Sequence, residues 1–280
     1  MDRLKKISLL TILLLLGRNG SAQSVSTLMG GRAAGLAYAS STLHDEWSLL
    51  NNVGGLSKVN QPSASFAYDL RTGLTGANRM AAVMTAPVKV GVAAFGLFRF
   101  GDDLYNEQVI TLGYGNQFGM ASLGLKVNYV QYRAEGFGTR HAVSLNFGGL
   151  AQLTPQITVG AYIVNLNQPK LSTLDKEQLP TKLVAGLAFQ PNAKLSLLTE
   201  IEKDLEYDPT IKGGMEYAVN KKVNVRTGFN LHPNAAFFGL GFLIRKLKID
   251  YALQYNNTLS ASHQASAVYR WERNGKRHAK

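Results

Sequence analysis

The chain has no cysteine. That excludes disulfides, thiolate metal centres, cysteine nucleophiles and lipid attachment through an N-terminal cysteine. Charge is scarce: 17% of the 280 residues are Asp, Glu, Lys or Arg, against about 25% in an ordinary soluble domain. No apolar run is long enough to cross a bilayer as a helix. The longest, Ile7–Leu16, is about half the roughly 20 residues needed. No His/Glu grouping has metal-ligand spacing. Neither Gly30-Gly31 nor Gly54-Gly55 opens a strand-to-helix unit followed by Lys-Ser/Thr, so a phosphate loop is excluded. Ser41, His44 and Asp45 are close in sequence, but a nucleophilic triad needs a base oriented by a third group across the fold. Helix capping and loop solvation account for these three. No enzymatic activity, metal or cofactor is expected.

The N-terminus is what an exported chain carries. Arg3, Lys5 and Lys6 precede the apolar run, and Gly20-Ser21-Ala22 closes it with small residues. This is the order of a secretory signal, residues 1–22. Arg3, Lys5, Lys6 and Arg18 against Asp2 account for +3 of the formal +12, leaving +9 for the mature chain. Part of that excess lies in a basic periplasmic tail, residues 272–280. An exported chain without a helical or aromatic-basic motif is not expected to bind nucleic acid.

From Ser63 onward a period of two dominates. Leu247, Ile249, Tyr251, Leu253 and Tyr255 fall on one face, with Lys248, Asp250, Ala252 and Gln254 on the other. The same alternation predicts strands over Ser63–Leu70, Ala77–Ala86, Val88–Phe100, Asn106–Gly115, Met120–Tyr132, Thr139–Gly149 and Gln156–Asn165. It continues over Thr181–Gln190, Ala193–Lys203, Pro209–Val219, Lys222–Asn230, Ala235–Ile244, Leu247–Tyr255 and Ala261–Trp271. Two of these, Val88–Phe100 and Ala235–Ile244, are apolar on both faces, which suits packing against a plug or a partner. Short connections such as Ala86-Pro87-Val88 and Ile244–Leu247 alternate with long ones such as Leu166–Pro180 and Leu231–Asn234.

About 14 strands, an even number, with unequal turns, predict an all-β transmembrane outer-membrane barrel of antiparallel strands over residues 63–271. Closure is what lets a sheet satisfy its backbone in lipid. Tyr68, Phe100, Tyr105, Tyr129, Tyr132, Tyr251, Tyr255, Tyr269 and Trp271 are assigned to the membrane-interface girdle. The same register points Lys126, Lys182, Lys212, Lys222, Arg226, Lys248 and Arg270 into the lumen, with Glu216 and Asp250. These charges either receive an anionic ligand or, the preferred reading, pair with each other and with the segment inside.

Residues 23–62 are the irregular remainder. Small residues run from Gly30 to Ala39, and Leu43–Asn52 predicts a short helix with Asp45 and Glu46 in its first turn, ended by Gly54-Gly55. Such a stretch suits an N-terminal plug, with Trp47 anchoring it by packing. The run Gly31-Arg32-Ala33-Ala34-Gly35-Leu36, then Asp45-Glu46-Trp47, then Asn51-Asn52-Val53-Gly54-Gly55-Leu56 resembles the N-terminal signature of the long-chain fatty-acid channel (FadL-like) superfamily. Within it, the PorV/PorQ-type branch of Bacteroidetes outer-membrane proteins is most similar. This chain keeps Asn52, Gly55 and Leu56 of that pattern and has Val53-Gly54 where Pro-Ala is common.

The resemblance implies a 14-stranded barrel whose N-terminal segment, with Arg32, Asp45, Glu46, Trp47, Asn52, Gly55 and Leu56, enters the lumen as a hatch. It implies outer-membrane lipid as surroundings. It also implies a role in type IX-like protein secretion and surface attachment with secretion-machinery partners. The alternative is a FadL-like channel taking up a hydrophobic or amphipathic small molecule through the lumen.

Overall fold

In the computed structural model, residues 25–170, 178–205, 207–256 and 260–271 are described. The expected signal and basic tail lie outside them. The wall is a meander of fourteen strands among the described residues: β1 (Ser63–Arg71), β2 (Arg79–Pro87), β3 (Val92–Gly101), β4 (Tyr105–Phe118), β5 (Ala121–Ala134), β6 (Gly138–Gln152) and β7 (Ile157–Val164). It continues through β8 (Lys182–Asn192), β9 (Leu195–Asp204), β10 (Thr210–Ala218), β11 (Val223–Leu231), β12 (Asn234–Ile244), β13 (Leu247–Asn256) and β14 (Ser260–Arg270). Every neighbouring pair is antiparallel, and β1 pairs with β14 from Ser63↔Arg270 to Arg71↔Ser262, so the barrel closes. Closure gives every strand a neighbour on both sides.

Alternation sets which side chain sees lipid. Phe66, Met84, Leu112 and Phe238 stand on the outside and are exposed, while Ser65, Thr85, Thr111 and Phe237 from the same strands are buried within. An apolar exterior around a closed wall is the physical requirement for spanning hydrocarbon. The strands predicted to be apolar on both faces do pack inward. Val92, Ala94 and Phe98 of β3 and Phe237 of β12 are buried inside the barrel.

Three expectations on boundaries need correction. The tight turn expected at Ala86–Val88 lies instead at Val88–Gly91, closed by the Val88 N–H on the Gly91 carbonyl at 3.0 Å. Gly91 supplies its left-handed backbone, φ 79°. Strands β4 to β6 run past their expected ends, because ladder hydrogen bonds continue beyond the apolar band, where Asn116 and Gln117 are as acceptable as Leu. The inequality of the connections is also less regular than expected. Those on the side of the chain termini are short, as at 119–120, 193–194 and 245–246, but on the other side only 72–78 and 165–181 are long. The connection over Leu231–Asn234, expected to be long, is a two-residue turn.

Residues 25–62 precede the wall, and most of those from Met29 to Leu56 are buried inside it. They form one short α-helix, α1 (Gly31–Gly35), and two 3-10 helices, Glu46–Leu49 and Val53–Lys58. The predicted helix over 43–52 is thus a single capped turn. Asp45 accepts the Trp47 N–H at 3.1 Å, and its own N–H donates to Ser48 Oγ at 3.1 Å. Gly54-Gly55 does not end it. Both glycines lie inside the second 3-10 helix, and what they provide is closeness. A Cβ on Gly54 would stand 2.6 Å from the Gly149 Cα of β6, and one on Gly35 2.9 Å from the Gly239 Cα of β12. Backbone therefore rests on backbone at both sides of the barrel.

Candidate functional site

The interior divides into two contrasting zones. On the β9–β14 side, charges are matched in chains. Asp45, Arg32, Glu216, Arg226, Asp250 and Lys248 form one line of alternating sign. Arg32 Nη1 lies 3.4 Å from Asp45 and its Nη2 2.7 Å from Glu216. Arg226 Nε is 2.5 Å from Glu216 and its Nη1 2.7 Å from Asp250, and Lys248 stands 3.4 Å from the other Asp250 oxygen. Arg226 and Asp250 are each 1% exposed, so each buried charge depends on the partners that flank it in this line. Burial opposes the charge on Arg32, but Glu216 and then Asp45 outweigh it and hold the guanidinium protonated, above its ordinary value.

A second group ties β8, β9 and β10. Lys212 reaches Glu200 at 3.0 Å and Glu202 at 2.5 Å, and Lys182 reaches Glu202 at 3.1 Å. The second Glu200 oxygen accepts the backbone N–H groups of Ser40 and Ser41, at 2.9 and 2.7 Å. Glu46 takes Arg270 of β14 at 2.5 Å. A third group joins Asp69, Arg79, Tyr38 and Gln264. Arg79 Nε donates to Asp69 at 2.8 Å, and Tyr38 Oη accepts from Arg79 at 2.9 Å and from Gln264 at 3.1 Å. Tyr38 reaches them because Ala37 and Tyr38 both turn left-handed, φ 56° and 57°. Burial pushes the Tyr38 phenol above its ordinary value, against the pull of Arg79.

On the β3–β7 side the contacts are apolar and close. Leu49, Val53 and Leu56 are buried to 1% exposure or less among Val83, Phe98, Val109 and Val130. Trp47, 2% exposed, lies over Gly30, so its role in the geometry is packing. Asn52 caps the second 3-10 helix by accepting the Gly54 N–H at 3.1 Å, and its amide donates to the Ser41 and Gly149 carbonyls at 2.5 and 3.0 Å. Gly55 packs against Ser48. Lys126 stands apart. It is 4% exposed, and its ammonium donates to the Leu49 and Leu50 carbonyls at 2.8 and 3.1 Å. Among the described residues no carboxylate lies within ion-pair distance of it.

Of the charges predicted to face inward, Lys126, Lys182, Lys212, Arg226, Lys248, Asp250, Glu216 and Arg270 do so. Lys222 does not. Its parity is right, but β11 begins one residue later, and Lys222 is exposed in the turn 219–222, its N–H held by Asn220 Oδ1 at 2.8 Å. Two girdle aromatics are also corrected: Phe100 and Tyr132 pack partly buried against the interior core. The inward Asp69, Arg79, Glu200 and Glu202 were not singled out from the sequence, although the period of two marks them once the register of β1, β2 and β9 is set.

Beside Lys126 is a cavity of about 80 Å³, room for several water-sized groups. Its polar floor is Lys126, Asn128 and Asn146, and its walls include Leu28, Leu50, Val109 and Tyr162. Val164, Asn165 and Pro180 at its edge belong to the thinnest part of the wall. Strand β6 pairs with β5 over fourteen positions, Ala121↔Ala151 to Ala134↔Gly138, but with β7 only from Phe147 to Gln152. Above Phe147 the seam is closed by asparagine side chains. Asn167 accepts the Leu145 N–H at 2.9 Å and donates to the Val143 carbonyl at 2.9 Å, and the Asn165 N–H donates to Asn146 Oδ1 at 3.0 Å. Two side-chain amides, together with the Leu166 N–H on the Leu145 carbonyl at 2.8 Å, thus stand in for a missing strand neighbour. Among the described residues no cluster of His, Cys, Asp or Glu is arranged to hold a metal.

No family model matches the chain, and no curated protein sequence matches it. Solved structures do. The CymD monoaromatic hydrocarbon channel superposes with a TM-score of 0.71 at 12% identity, covering 91% of this chain and 100% of that one. The Ralstonia pickettii toluene transporter TbuX gives 0.69 at 13%, covering 88% and 99%. A Pseudomonas aeruginosa FadL homologue gives 0.61 at 12%, covering 89% and 100%. The chain has the fold of these FadL-type channels and is an outer-membrane β-barrel.

Proposed function

We propose that the chain is an outer-membrane channel for small hydrophobic or amphipathic molecules, with residues 23–62 as a plug inside a wall of residues 63–271. The observation that carries this reading is the apolar-walled cavity lying directly behind the seam where β6 loses its β7 neighbour. A molecule in that cavity has apolar walls beside a polar floor, next to the stretch of β6 that has no ladder pairing with β7. The fold-level neighbours named above are described as channels for monoaromatic hydrocarbons and toluene, which supports uptake over the type IX-like secretion role implied by the PorV/PorQ-type resemblance.

The test is uptake of labelled toluene by Gram-negative cells whose own hydrocarbon channels are deleted. Cells carrying this protein are expected to take up toluene faster than cells with an empty vector. A cysteine pair at Leu145 and Asn167, oxidised across the seam, is expected to slow that uptake until a reductant is added. The absence of other cysteines makes the reversal clean. Uptake equal to that of the vector control would sink the reading.

A further inference from the structure

We infer that the outer face of β3–β6, at the end of the barrel away from the chain termini, is a docking site for the phosphate headgroup of an outer-leaflet lipid. This goes beyond the channel reading and does not depend on it. It uses only the wall and its place in the membrane.

The register builds the site. Arg99 pairs with Gln108, Gln108 with Gln131, and Gln131 with His141, so these four residues stand in one row across β3, β4, β5 and β6. They share the parity of the exposed Leu97, Ile110, Tyr129 and Val143, which face outward. At about 4.8 Å per strand spacing, the row is about 14 Å long. Arg133 lies two residues beyond Gln131 on the same face. The row flanks the connections 102–104 and 135–137, opposite the short turns 119–120, 193–194 and 245–246. Short turns mark the periplasmic side of such a barrel, so the row stands at the level of the outer-leaflet headgroups.

Charge is sorted by face. Every acid in the described strands has inward parity, and the outward cations of those strands are Arg99, Arg133 and Lys203. Two of these three are in this patch. Neither guanidinium, Arg99 or Arg133, has an ion-pair or hydrogen-bond partner among the described residues. In the neighbouring turn, Asp102 accepts the Leu104 and Tyr105 N–H groups at 2.9 and 3.1 Å. Gln108 spends one amide N–H on Asn106 Oδ1 at 3.2 Å. Tyr129 Oη lies 2.8 Å from His141 Nδ1, which leaves Nε2 as the unused ring nitrogen.

A second Tyr–His pair shows what is particular here. Tyr251 Oη is 2.6 Å from His263 Nδ1, with the same diagonal register on β13 and β14. Its row, however, is Phe238, Leu253, His263 and Leu70, without a cation or an amide. A Tyr–His pair alone suits any membrane interface. Only the β3–β6 pair has arginines and amides beside it. Guanidinium takes phosphate oxygens two at a time, and the amides and the imidazole add further donors. Directly beneath the row lie Leu97, Ile110, Tyr129 and Val143. A free phosphate would leave that apolar row unused. Phosphate above and hydrocarbon below is the orientation a lipid has in its leaflet.

The experiment titrates the purified full chain, in a neutral detergent, with dimyristoyl phosphatidic acid and with dimyristoylglycerol, which has the same chains and no phosphate. Bound lipid is counted by native mass spectrometry. Phosphatidic acid is expected to bind about tenfold more tightly, the return of one to two charge-assisted hydrogen bonds. Arg99→Gln combined with Arg133→Gln is expected to bring the ratio to about one, and His263→Gln to leave it unchanged. Inorganic phosphate in excess is expected not to displace the lipid.

Equal affinities in the unaltered chain overturn the inference, and so does a ratio that survives loss of both arginines. Displacement by inorganic phosphate assigns the patch to a free anion and overturns lipid docking. A ratio lost in His263→Gln places the effect outside this row and overturns it too. The first comparison needs no variant, so a poorly folding one does not remove the test. None of these results bears on toluene uptake, so failure here is distinct from failure of the channel reading.

Discussion

The two sides of the lumen hold the same inner segment by different physics. Against β9–β14, residues 31–46 are tied by buried ion chains in which every cation meets an acid, as Arg226 meets Glu216 and Asp250. Against β3–β7, residues 47–58 are held by apolar burial, by Gly54 on Gly149, by Asn52 on the Gly149 carbonyl, and by one lysine whose acceptors are carbonyls. The first kind of contact is specific and hard to exchange, since losing one partner strands a buried charge. The second is largely non-directional, and its polar ties, Lys126 to the Leu49 and Leu50 carbonyls and Asn52 to the Gly149 carbonyl, involve no ion pair. The edge held without ion pairs is the one beside the cavity and the thin seam.

Substitutions should separate these two modes. The largest effect is expected from Arg226→Met, which leaves Glu216 with Arg32 alone and buried Asp250 with Lys248 alone. It should cost about 3–5 kcal/mol in urea unfolding of the detergent-solubilised barrel. Gly54→Val should cost about 1–3 kcal/mol, because the added atoms meet the backbone of β6 rather than a side chain that can turn away. It should also expose Trp47, read as a red shift in fluorescence. Lys126→Met should change stability by no more than about 1 kcal/mol, since removing a poorly compensated buried charge offsets the hydrogen bonds lost. A loss as large as that of Arg226→Met would erase the distinction between the two sides.

The smallest effect is one of pH. The Tyr38 phenol is raised by burial, so the unfolded chain ionises first, near pH 10. The associated stability is complete below that pH and falls as pH rises above it toward the folded value. Tyr38→Phe should flatten that decline between mildly and strongly alkaline unfolding curves, and an unchanged slope would count against the buried setting of Tyr38.

Much of the wall was readable in the sequence, because lipid outside and a filled lumen inside impose opposite demands on successive residues. Leu247 to Tyr255 shows both demands without any structure. Parity failed where it was taken beyond the strand, as at Lys222, because a turn has no inside. Gly54-Gly55 was read as a helix stop because glycine is ambiguous on its own. Its use here depends on Gly149, far along the chain, coming equally close. The isolation of Lys126 could not be read at all. Its partners are backbone carbonyls of residues 49 and 50, and carbonyls leave no trace in sequence. The β6–β7 seam was hidden for a related reason, since the side chains of Asn146 and Asn167 imitate backbone pairing that a strand pattern would have supplied.

The most direct test uses two cysteine pairs in the otherwise cysteine-free chain. Leu36→Cys with Gly214→Cys fastens the inner segment to β10, and Leu49→Cys with Gly96→Cys fastens it to β3, each at positions in contact. Toluene uptake by cells is then compared before and after oxidation. Oxidising the β3 pair is expected to stop uptake reversibly, while oxidising the β10 pair leaves it unchanged. Uptake stopped by the β10 pair and indifferent to the β3 pair would contradict the contrast between an ion-paired side and one held without ion pairs.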